Sequence, residues 1–247
     1  MNERLFSLTG RRRWLLSRAT ADFFFLQNRS YPRSSALEWV GNRYRLTQLE
    51  RQLLHRGVFS QAEALRRHAR QCKGSDWQKE WLVVDGHNVQ ITVESAILGR
   101  PILKANDGAL RDLAGLSANF RLTEASEMAL DAVFEFLEAH RPRKLLFLFD
   151  APMSHSGLLA DKYRRRMKSL GLPGESRTAP VPEKEMPYSE CVVAGSDQAV
   201  LEESSRWLDL AQLVIDAGNM LQLTADFSPV VLSSHTDPFF PGELDLF

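Results

Sequence analysis

Three apolar runs, each closed by an aspartate, restrict the folds open to this chain: Trp81-Leu82-Val83-Val84-Asp85, Leu145-Leu146-Phe147-Leu148-Phe149-Asp150 and Leu213-Val214-Ile215-Asp216. A fourth run, Cys191-Val192-Val193-Ala194, reaches Asp197 through Gly195 and Ser196. Short uninterrupted runs rich in β-branched and aromatic residues, separated by helical patterns, predict strands buried on both faces of a parallel sheet. Ligands of such sheets bind at the carboxyl ends of the strands, so the aspartates are expected to converge on one crevice. Carboxylates gathered there repel one another unless a cation lies between them, and hard divalent ions take oxygen ligands. The chemistry implied is an acidic, metal-dependent site.

A formal net charge of zero hides a division along the chain. Residues 1–78 hold 15 Lys and Arg against 6 Asp and Glu, whereas residues 79–247 hold 16 against 25, a split of +9 and −9. That asymmetry predicts a basic anchoring module joined to an acidic, cation-binding one. In the basic part, Leu15, Leu16, Ala19, Phe23 and Leu26 recur at helical spacing over 11–28, and Ser34 or Ser35 can cap a short helix to about Gly41. Thr47 with Glu50, and Ser60 with Glu63, form capping boxes for a third and a fourth helix. The polar stretch Lys73-Gly74-Ser75-Asp76 sets the boundary between a helical domain, 1–74, and an α/β domain, 79–247.

Alternating strand and helix patterns in the second domain predict right-handed crossovers and a doubly wound sheet. The expected elements are a helix after Asp85 to about Gly99, an irregular stretch through Asp107-Gly108, and a helix from Thr123 to His140. Then come strand 145–149, a basic helix over 158–169, an edge strand over 175–179 and a central strand over 191–194. Ser196 is expected to cap a helix from Asp197 to about Leu208, leading into strand 213–216. Beyond Asp226 the chain is rich in Pro and Ser and offers at most a strand over 230–232.

Cys72 and Cys191 are far apart and lack zinc spacing, so reduced thiols and a cytoplasmic protein are expected. Arg18 and Asp22 interrupt the apolar stretch after Arg11-Arg12-Arg13 well short of a signal-peptide core, and no run reaches membrane-spanning length. No Walker A loop is present, and neither Asp85 nor Asp150 has the second aspartate two residues on that a haloacid-dehalogenase-type phosphatase needs. His55, His68, His140, His155 and His235 show no ligand spacing. Glu124, Glu127, Asp131, Glu135 and Glu138 read as the solvated face of a helix, as do the bases Lys162, Arg164, Arg165, Arg166 and Lys168. The helices from about Ser35 and from Thr47 have the outline of a helix-turn-helix. Arg43, Arg45, Arg51 and Arg56, on or beside its second helix, are expected to meet nucleic-acid phosphates.

Asp85-Gly86-His87-Asn88 after the first strand, with Gly195-Ser196-Asp197 opening a later helix, resembles the PIN-like nuclease superfamily, particularly its NYN branch. That resemblance implies a three-layer α/β fold with strand order 3-2-1-4-5, whose carboxylates bind Mg²⁺ or Mn²⁺ and cleave RNA, with DNA the lesser expectation. Carried over by position, Asp85, Asp150 and Asp197 become the metal ligands, and Asn88 becomes the amide that bonds a phosphate or holds Asp85. The chain departs from the pattern at Ala199, where many relatives carry an aspartate. The acidic residue of the middle helix is left open among Glu94, Asp107, Asp112 and Glu127, with Asp216 a further candidate. Tyr31-Pro32, Ser35-Ala36-Leu37-Glu38, Val40-Gly41-Asn42-Arg43-Tyr44-Arg45-Leu46 and Arg56-Gly57-Val58 are similar to the helical domain of unknown function 434. Thr92-Val93-Glu94-Ser95, Leu98-Gly99-Arg100-Pro101 and Phe147-Leu148-Phe149-Asp150 are similar to its usual partner, domain of unknown function 5616. The expected function is a metal-dependent ribonuclease whose basic domain holds the RNA, the alternative being an inactive PIN-like RNA-binding or scaffold protein.

Overall fold

The computed structural model describes residues 10–113 and 121–232. His235 and the last residues of the Pro- and Ser-rich end lie outside that range. In chain order, helices α1 (Gly10–Asn28), α2 (Arg33–Arg43), α3 (Gln48–Gly57) and α4 (Gln61–Arg70) come first. Strand β1 (Trp81–Asp85), helix α5 (Gly86–Ile97) and strands β2 (Ile102–Lys104) and β3 (Leu110–Asp112) follow. Next are α6 (Glu124–Ala139), β4 (Lys144–Asp150), α7 (Ser156–Ser169), β5 (Gly174–Ala179), α8 (Pro182–Glu185), β6 (Val192–Ala194) and α9 (Gln198–Glu203). The described chain closes with β7 (Trp207–Leu208), α10 (Leu210–Ala217), β8 (Leu223–Asp226) and α11 (Pro229–Leu232).

The chain packs as two compact units. One takes the residues up to Ala69 together with Pro101–Leu113 and the chain from Leu223; the other takes Arg70–Arg100 and the described chain from 121 to Gln222. The first cut falls close to the expected boundary at 74. A contiguous division misses, however, that two later segments return to the helical unit. The reason is burial: Leu103, Ala105, Leu113, Ala225 and Phe227 share one apolar core with Leu16, Phe23, Phe24, Leu53, Leu54 and Phe59. These returning segments form a small sheet of order β3-β2-β8, its β2 and β3 in a stretch expected to be irregular. Within the same unit the Thr47–Glu50 capping box opens α3 as expected, and Ser60 and Glu63 exchange the same reciprocal bonds before α4.

The second unit holds a five-stranded parallel sheet of order β5-β4-β1-β6-β7. Numbered within this sheet, the order is 3-2-1-4-5, the one the PIN-like resemblance implies. Alternation along β4 builds the layers, because successive side chains of a strand leave on opposite faces. Phe147 and Phe149 meet Phe134 of α6 and Tyr163 of α7, with ring centroids 4.8–5.9 Å apart. Leu146 and Leu148 join Val83, Val193, Met186 and Val200 in a separate cluster. The sheet thus has apolar layers on both faces, which is why its strands read as continuous apolar runs.

Three expectations fail here. Leu213–Asp216 is not a strand: it lies in α10, where Leu210, Ala211, Val214 and Ile215 are buried at helical spacing and the Asp209 carboxylate accepts from the Gln212 N–H at 3.0 Å. A short apolar run cannot by itself distinguish strand from buried helix, and the cap decided it. The fifth strand is instead the two-residue β7, which ends the expected 197–208 helix early at Glu203. Residues 229–232 are likewise helical and not a strand.

Candidate acidic site at the strand ends

Sheet register sets Asp85 opposite Leu148, two residues before the end of β4 at Asp150, and Val84 opposite Ala194 at the end of β6. Asp85 caps α5, its Oδ1 accepting from the Asn88 N–H at 3.1 Å. The Asn88 Oδ1 in turn accepts from the Ser196 N–H at 2.8 Å and lies 3.1 Å from the Ser196 hydroxyl. One amide thereby ties the start of α5 to the turn after β6. Gly195 is what allows the approach, since a Cβ there would stand 3.2 Å from the Asp85 Cβ and 3.6 Å from the Asn88 Oδ1. On the other side, the buried His87 Nδ1 accepts the Asp150 backbone N–H at 3.0 Å, fixing the end of β4. Asn88 therefore acts on the loop geometry, and His87 does so while its Nδ1 also stands 3.5 Å from the Asp150 Oδ2.

The electrostatics of Asp85 are unbalanced. Burial pushes its carboxyl up, the Asn88 N–H opposes, and the nearby negative charges of Asp150, Asp197 and Glu183 raise it further, to about 8. Tyr188, whose hydroxyl donates to the Glu183 carbonyl at 2.8 Å, is pushed up to about 12 by burial and by Glu183, Glu203, Asp85 and Asp197. Sequence reasoning missed Glu183, Tyr188 and Glu203 because none ends an apolar run: Glu183 sits on the short α8, and Glu203 is the last residue of α9. Of the expected residues, Asp150 and Asp197 both act on Asp85.

Other candidates go elsewhere. Asp107 is buried in the helical unit, bonded by Arg67 at 2.7 Å and Arg111 at 2.8 Å, and Asp112 stands 3.6 Å from Arg56 there. Glu127 pairs with Lys162 at 2.6 Å, and Asp216 is an exposed residue of α10. Glu94 is buried on α5, accepts from the Ser126 hydroxyl at 2.7 Å and lies 3.6 Å from Arg100. Ser196 does not cap α9; Asp197 does, accepting from the Ala199 N–H at 2.8 Å.

For a divalent cation the fit is mixed. Carboxylates crowd around a buried Asp85, which suits a cation, and the capping bond engages only its Oδ1. Yet among the described residues no three His, Cys, Asp or Glu side chains stand in a group that could hold a metal ion. Asp85 and Asp197 each cap their own helix through Oδ1. A cation would be anchored by Asp85, with Asp150 and Asp197 completing its oxygen ligands.

In the helical unit the four expected phosphate contacts divide. Arg51 donates to the Leu46 carbonyl at 3.2 Å and the Asn42 Oδ1 at 2.9 Å, closing the end of α2. Arg56 faces Asp112. Arg43 and Arg45 are exposed, Arg43 lying beside Asp22 at 3.5 Å. No helix among the described residues is long and apolar enough to cross a membrane.

Residues 75–213 match the family described as domain of unknown function 5616, and residues 15–70 match the one described as protein of unknown function 434. An uncharacterised protein of Methanocaldococcus jannaschii is 30% identical over 190 residues, covering 77% of this chain and 90% of that protein. No solved structure matches the chain.

Proposed function

We propose that the strand-end crevice hydrolyses RNA phosphodiesters, starting from the premise that the chain belongs to the family of domain of unknown function 5616, preceded by that of unknown function 434. The observation that carries this reading is Asp85: a buried carboxylate on which Asp150, Asp197 and Glu183 all act with the same sign. A folded protein tolerates such an imbalance where a ligand corrects it, and perturbed carboxylates in strand-end clefts mark sites. Divalent Mg²⁺ or Mn²⁺, when bound, supplies the acidity that ionises water near neutral pH and offsets charge on the transferring phosphate. Asp85 anchors that ion, Asp150 and Asp197 contribute oxygens, and Asn88 keeps the α5 and β6 loops in register. Exposed arginines of the helical unit attract the phosphate backbone, which the acidic crevice repels by itself.

Purified protein with Mn²⁺ should cut RNA and leave a generic aryl phosphate intact, with cleavage lost in Asp85→Asn and Asp197→Ala. Cleavage that persists in both variants would overturn the assignment. A second reading, an inactive PIN-like RNA-binding or scaffold protein, has one observation in its favour: Asp85 and Asp197 both serve as helix N-caps. RNA binding without any response to metal would select it.

A further inference from the structure

We propose that the exposed face of α1 is a stacking platform for single-stranded RNA; this deepens the reading above and rests on it for the choice of RNA. Arg11, Trp14, Arg18 and Phe25 are all exposed, Trp14 at 49% and Phe25 at 52%. Their spacings of three, four and seven residues place them within about 60° of one another around the helix, and Trp14 and Phe25 lie about 16 Å apart along it. Just past the helix end, the Arg29 guanidinium lies 4.7 Å over the Phe25 ring. The result is a row of cation, ring, cation, ring, cation.

The opposite face of α1 explains why these rings are not core. Leu16, Ala19, Phe23 and Phe24 are buried in the helical unit, so the helix already has its packing surface. Two large aromatics left outside, each beside an arginine, match what a flexible polyanion needs: flat rings for bases and guanidinium groups for phosphates. Within the row, between Arg18 and Phe25, Asp22 accepts from the Tyr44 hydroxyl at 2.7 Å and lies 3.5 Å from Arg43, which mutes its repulsion of phosphate. Other occupants suit the surface less well. A membrane-surface helix or a protein partner needs a continuous apolar stripe. Here the rings are separated by Arg18 and Ala21.

The test uses the full chain, EDTA to prevent cleavage, and anisotropy of a fluorescein-labelled oligouridylate of about a dozen residues. Trp14→Ala and Phe25→Ala should each weaken binding roughly tenfold, Trp14→Phe should keep most of it, and Arg18→Gln should reduce the salt slope by about one. Wild-type affinity in both alanine variants overturns the proposal, as does wild-type protein that binds phosphatidylserine vesicles but not the oligonucleotide. The crevice is judged separately: RNA cleavage unaffected by Trp14→Ala and Phe25→Ala leaves the nuclease reading standing and removes the platform. Tight, Trp14-dependent binding with no cleavage does the reverse.

Discussion

Asp107 and Asp85 are both buried aspartates, one in each compact unit, and they sit in opposite electrostatic states. Asp107 is fully buried, but Arg67 and Arg111 donate to it at 2.7–2.9 Å, and those two cations hold its carboxyl below the usual range despite the burial. Asp85 is similarly enclosed, yet the nearby charges that act on it are negative and its carboxyl rises to about 8. The chain supplies the countercharge in the first case and leaves it to be supplied in the second. Burial of a carboxylate is therefore a poor marker of function, whereas burial without a partner is a good one.

The comparison breaks most readily by making the same substitution at both positions. Asp107→Asn should cost about 3–5 kcal/mol of unfolding free energy, because it strips the countercharge from two buried guanidinium groups. Asp85→Asn should stabilise the metal-free protein at pH 8 by about 2 kcal/mol or more, since it removes a carboxylate that burial penalises. Urea unfolding in EDTA measures both. Equal destabilisation would mean that the folded state stabilises Asp85 as a carboxylate, because asparagine keeps the oxygen that caps α5.

The two sites should also respond to pH with opposite signs. An unfolded aspartate titrates near 3.9. With a folded value near 8, Asp85 binds its proton more tightly in the native state, so its favourable contribution is complete below about pH 4 and lost as pH rises towards 8. Asp107, held low, contributes stability above about pH 4 that is lost as pH falls through its folded value. Subtracting Asp85→Asn from wild type in EDTA isolates the first slope. Saturating Mn²⁺ should then flatten it: binding must release the Asp85 proton, and at a hundred times its dissociation constant an ion adds about 2.7 kcal/mol. A wild-type curve that Mn²⁺ leaves untouched would remove Asp85 from the ligand list.

Such contrasts were only half legible in the sequence. Asp85, Asp150 and Asp197 were found because each follows a buried strand, and burial on both faces leaves an uninterrupted apolar run. Leu213–Asp216 shows the limit of that signal, since a run of four fits a buried helix equally well. Glu183 and Tyr188 could not be found by it, since Glu183 lies on the four-residue α8 and Tyr188 in the turn beyond it. Asp107 was misplaced for another reason. Its partner Arg67 lies 40 residues earlier, and only the return of 101–113 to the helical unit brings the two together. Charge counts could not tell a solvated arginine from one that closes a helix.

That last distinction gives the smallest expected effect, and it turns on Arg51 and Arg43. Arg51 bonds the carbonyls and the Asn42 amide that end α2, so Arg51→Gln should cost about 1 kcal/mol of stability while leaving the affinity for RNA close to wild type. Arg43 is 73% exposed, pairs with Asp22 at 3.5 Å and lies 5.6 Å over the Tyr44 ring. Surface pairs of that kind contribute little, so Arg43→Gln should leave the melting temperature unchanged. If Arg43 meets phosphate, the same change should lower the dependence of RNA binding on salt by about one counterion. Melting curves and salt titrations of the two variants, run side by side, separate the roles. Equal loss of binding in both would mean that RNA reaches the Arg51 side of α2, and that closing this helix is not the only task of that arginine.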